Sequence, residues 1–73
     1  MPKMDRNEKK YLVNQLEASP HLVPAYAETL RTMIAELMDE TYESPDAEDR
    51  TQLAAIEYRA RMILDHWQVR EAN

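Results

Sequence analysis

The longest uninterrupted pattern in this chain starts at Ser44-Pro45-Asp46, a helix-start signal, and continues to the end without Gly or Pro. On a helix advancing about 100° per residue, Leu53, Ile56, Ala60, Ile63, Leu64 and Trp67 form a broad apolar stripe. Ala55, Tyr58, Met62 and Val69 form a narrower one on roughly the opposite side. Glu57, Arg61, Asp65 and Gln68 separate the stripes on one flank, and Arg59, His66 and Arg70 on the other. A surface helix needs one apolar stripe, so two stripes predict neighbours on both sides.

The preceding segment, 24–43, also reads as a helix. Pro24 stands at its first position, where a missing N–H costs nothing. Tyr26, Ala27, Leu30, Met33, Ile34, Ala35, Leu37, Met38 and Tyr42 cover about half its circumference. The very short link at Glu43-Ser44-Pro45 predicts that helices 24–43 and 45–71 fold back as an antiparallel hairpin. Leu53, Ile56, Ala60, Ile63 and Trp67 step by 3, 4, 3 and 4, the heptad rhythm of coiled-coil packing, and Tyr26, Leu30, Met33 and Leu37 step alike.

Upstream, Asp5 with Glu8 three residues on makes a capping box. It predicts a short first helix over 5–18 with a thin face of Leu12, Val13 and Leu16, after a frayed start at 1–4. Pro20 ends it, since the residue before a proline avoids helical geometry, and a short turn over 20–23 follows. The expected fold is all-α: one domain over 1–73, a three-helix bundle-like hairpin with the first helix packed across it.

Composition sharpens this picture. Seventy-three residues bury a marginal core, and chains this short commonly oligomerise. Gly is absent, so hairpin turns needing positive φ are disfavoured and helices favoured. Cys is absent, which excludes disulfides and is compatible with a cytoplasmic setting. Met1 to Lys10 lacks the apolar core of a signal peptide, and no apolar run is long enough to span a membrane. The net charge of −5 argues against direct nucleic-acid binding. From Glu36 to Asp49 the chain holds acids and no base.

No catalytic or cofactor chemistry emerges. Ser19 and Ser44 both precede Pro and read as caps. His66 adjoins Asp65, but adjacent helical residues point about 100° apart, so the acid does not orient it. Paired Glu-x-x-His ligands are missing, and Asp46-Ala47-Glu48-Asp49 lacks the spacing of a calcium loop. The expectation is no enzyme, no cofactor and no metal.

Two surfaces suit a protein partner. One is the stripe of Ala55, Tyr58, Met62 and Val69, which either the first helix or a second subunit or partner covers. The other is the acidic face of Glu36, Asp39, Glu40 and Glu43, either a solvated face or a dock for a basic surface. The leading expectation is a non-catalytic protein–protein interaction module, a homo-oligomer or part of a larger assembly. The alternative is an acidic inhibitor that imitates nucleic acid and occupies a basic surface of a nucleic-acid-binding complex.

Ser19-Pro20-His21, the seam residues Leu30, Met33 and Leu37, Pro45-Asp46, and Gln52-Leu53 through Arg59, Arg61, Ile63, Leu64 and Asp65 carry a resemblance. From Ser19 to Asp65 the chain resembles small helical-hairpin proteins of tailed bacteriophages, found among head and packaging genes. That resemblance implies a non-enzymatic virion or assembly role, in the host cytoplasm or the virion, and supplies no catalytic residues.

Overall fold

Apolar side chains at heptad spacing meet along two long helices, and this seam is the core of the molecule. The computed structural model describes residues 4–72, with side chains from Met4 to Trp67. Helix α1 spans Arg6–Ala18, a single 3-10 turn spans Pro20–Leu22, α2 spans Val23–Glu43 and α3 spans Ala47–Ala72. The fold is all-α and resembles a three-helix bundle. Ala27, Leu30, Met33, Ile34 and Leu37 of α2 are buried with Leu53, Ile56, Ala60 and Leu64 of α3. Ala60, fully buried, puts a small side chain at mid-seam, where it lets the helices approach closely.

The expected seam differs at its edges. Tyr26 is exposed, and Val23 and Ala27 take the buried positions at that end. Ile63 and Trp67 are half-buried against the core. In an antiparallel pair the last turns of α3 lie beside the first turn of α2. Helix α3 has 26 residues against 21 in α2, so Trp67 has little of α2 beyond it.

The link between α2 and α3 uses extended backbone at Ser44 (φ −74°, ψ 127°). Among the described residues none has positive φ, which accords with a chain that has no Gly. Helix α3 starts two residues later than expected because Pro45 and Asp46 belong to the link. The Asp46 carboxylate accepts from the Glu48 N–H at 3.1 Å, and its carbonyl accepts from the Arg50 N–H at 3.0 Å. The Arg50 guanidinium donates to the Ser44 carbonyl at 2.7 Å and ties the link down.

At the other end, Ser19 leaves helical geometry (φ −134°, ψ 72°) before Pro20, as proline sterics require. Pro24 sits second in α2 rather than first, still among the positions whose N–H has no partner within the helix. Helix α1 begins as expected: Asp5 caps it, accepting from the Glu8 N–H at 2.8 Å. Val13 and Leu16 are buried, while Leu12 and Met4 pack half-buried against the core. Of the expected frayed start, only Met4 lies within the described residues.

Leu30→Ala is expected to cost about 2–5 kcal/mol, in the range for a fully buried truncation. Ile63→Ala, half-buried, is expected to cost about half as much. Urea denaturation of both variants against the parent measures the difference.

Candidate functional site

The outer side of α3 faces away from both neighbours. Helix α1 reaches α3 at Asp49, Gln52 and Arg59, through Arg6 and through Glu17 with Asn14. Helix α2 meets it along the seam and at Arg61, whose Nη2 lies 2.8 Å from Met38 Sδ. Between these flanks stand Ala55, Tyr58 and Met62, all exposed, Tyr58 at 64% and Met62 at 51%. Helix α1 therefore does not cover Ala55, Tyr58 or Met62. Val69, the fourth expected member, lies outside the residues whose side chains are described.

The acidic face of α2 is divided. Asp39 and Glu43 are exposed. Glu36 and Glu40 instead converge on Lys9 of α1, whose Nζ lies 2.6 Å from Glu40 Oε1 and 3.3 Å from Glu36 Oε1. The Lys9 side chain is 0% exposed, while each carboxylate keeps about a quarter of its surface in water. A buried ammonium is tolerable only with such partners, because desolvating it alone costs several kcal/mol. Sequence reasoning missed Lys9. The available signal was register: Lys9, Val13 and Leu16 share one helix face at i, i+4 and i+7.

Polar pairs also fasten the ends of α1. Arg6 Nη1 donates to Asp49 at 2.9 Å, and Arg59 donates to Glu17 and, at 2.6 Å, to Asn14. The hydrogen bonds from Arg59 and Arg6 hold the Glu17 and Asp49 carboxyls below the usual carboxylate range. The same bonds raise both arginines further.

Among the described residues, no three His, Asp or Glu side chains gather as a metal site, and no helix is long and apolar enough to cross a membrane. His21 and His66 are exposed and both line a cleft at one end of the bundle. Sequence reasoning could not bring them together, because that depends on how far α3 runs past the turn at Pro20. Comparison with protein-family models, curated proteins and solved structures finds no match to this chain.

Two expectations follow for α1. Lys9→Met keeps the buried volume and leaves two carboxylates that can rehydrate, so it is expected to stay within about 1 kcal/mol of the parent. Glu36→Gln with Glu40→Gln strands the ammonium and is expected to cost about 3–5 kcal/mol. Chemical denaturation of both proteins tests the asymmetry.

The second concerns acid. A carboxyl depressed on folding stabilises the fold above its ordinary pKa, and that stabilisation is lost as pH falls through the lowered value. Glu17 and Asp49 are both of this kind, and their arginine partners stay charged. The attachment of α1 should weaken below about pH 4, where free carboxyls begin to protonate. Amide exchange in α1 should then accelerate before exchange at the α2–α3 seam.

Proposed function

We propose that this chain is a non-catalytic protein–protein interaction module that engages its partner through the outer stripe of α3. The observation that supports it is the joint exposure of Tyr58 and Met62, one helical turn apart, beside Ala55. Soluble proteins scatter such side chains singly, and grouped ones mark contact sites. Burying each fully is worth roughly 1.5–3 kcal/mol. Tyrosine also brings a rigid ring and a hydroxyl, a combination enriched at interface hot spots. A second copy of the chain or another subunit of an assembly would cover the stripe. The resemblance to phage hairpin proteins supports a virion or assembly setting, inside the host cell or the particle.

The acidic-inhibitor reading has less to work with. Glu36 and Glu40 hold Lys9, which leaves Asp39 and Glu43 as the exposed acids of that face.

Sedimentation of the parent chain and of Met62→Glu tests the reading. The substituted side chain is already about half in water, so the variant should keep its helical signal while losing association with itself or with its partner. Asp39→Asn with Glu43→Gln should leave association intact. If Met62→Glu associates like the parent, the stripe is not the interface. If only the neutralised acids lose binding, the inhibitor reading takes its place.

A further inference from the structure

A cleft of about 750 Å³ opens where α1 ends, α2 begins and α3 reaches its last turns. That size lies within the range of small-molecule sites, roughly 300–1,000 Å³. Buried Leu16 and Val23 and half-buried Ile63 and Trp67 give it an apolar lining, with exposed Met62 at its edge.

Trp67 Nε1 is shielded from solvent and has no hydrogen-bond partner among the described residues. An indole nitrogen only donates. His21 and His66 each have a donor to offer and make no bond to the protein among the described residues. Glu17 is the one acid in the lining, and Arg59 already holds its carboxylate. The first turn of α2, at Val23 and Pro24, enters the cleft with no side-chain cap. Its partial positive charge adds to the donors and is not the basis of the site. The cleft thus offers apolar surface, donors at its two exposed histidines and one acid whose carboxylate is already paired.

We propose that this cleft binds a small amphipathic carboxylate, whose apolar body packs on Leu16, Val23, Ile63 and Trp67 and whose carboxylate meets the donors of the exposed His21 and His66. Met62 borders both this cleft and the protein-binding stripe, so the cleft is tested at Trp67, His21 and His66, none of which belongs to the stripe.

The chain has one tryptophan, so Trp67 emission reports the site directly. The parent is titrated with decanoate and with decylamine, each below its micellar concentration. The two share a tail and differ in the sign of the head. A net charge of −5 would draw the amine, so non-specific attraction and the proposal predict opposite orders. Decanoate should saturate at one per chain, with decylamine at least tenfold weaker. His21→Glu with His66→Glu should weaken decanoate at least tenfold at unchanged helical signal. Trp67→Phe, followed by calorimetry, should weaken it severalfold, and serves if the double variant does not fold. Amine binding as tight as that of decanoate overturns the proposal. So does a decanoate response that never saturates, or Trp67→Phe binding decanoate as the parent does.

Discussion

The seam between α2 and α3 is the interaction on which the other contacts depend. Leu30, Leu37, Leu53 and Ala60 are each buried almost completely there, and the short link at Ser44 keeps their partners close along the chain. Local pairing of this kind forms early, because the loop to be closed is small. Everything else attaches to that hairpin: α1 lies across it, and the cleft exists because α3 runs to the level where α2 begins.

Helix α1 is attached differently. Its buried apolar contribution is Val13 and Leu16, and Arg6, Lys9 and Glu17 add charged contacts at both ends and the middle. Exposed ion pairs contribute little each, commonly below about 1 kcal/mol, and salt screens them. Lys9 is the exception, since burial makes its partners necessary rather than merely favourable. The chain therefore joins a hairpin held by a long packed seam to a helix held by a few buried apolar side chains and by the partners of one buried charge. Such regions open at different free energies within one domain.

Much of this organisation was readable from residue order. Pro20, Pro24 and Pro45 punctuate the chain, and the seam residues repeat at heptad spacing, so three helices and their antiparallel pairing follow from local rules. Asp5 caps α1 as its capping box implies. The apolar spacing of Ala55, Tyr58 and Met62 also lies in the residue order, but their exposure does not, since the same spacing suits a stripe covered by α1. What local rules do not contain is the placement of α1 against the hairpin. Lysine is among the residues least often fully buried, and nothing near Lys9 in the chain signals the two glutamates of another helix that surround it. The acidic face looked uniform for the same reason. The cleft was hidden because its lining comes from three elements whose register no single stretch encodes.

The buried ammonium of Lys9 sets it apart from its neighbour. Lys10, next in the chain, is exposed, and the two amines differ in environment far more than in chemistry. Reagents and enzymes that modify lysine need an accessible, deprotonated amine, so Lys10 is open to them while α1 is docked and Lys9 is withheld. Acylation at Lys9 therefore requires prior departure of the helix from the hairpin. It would also add an acyl group to a side chain that has no exposed surface when docked, so a helix modified while open could close again only by displacing its neighbours.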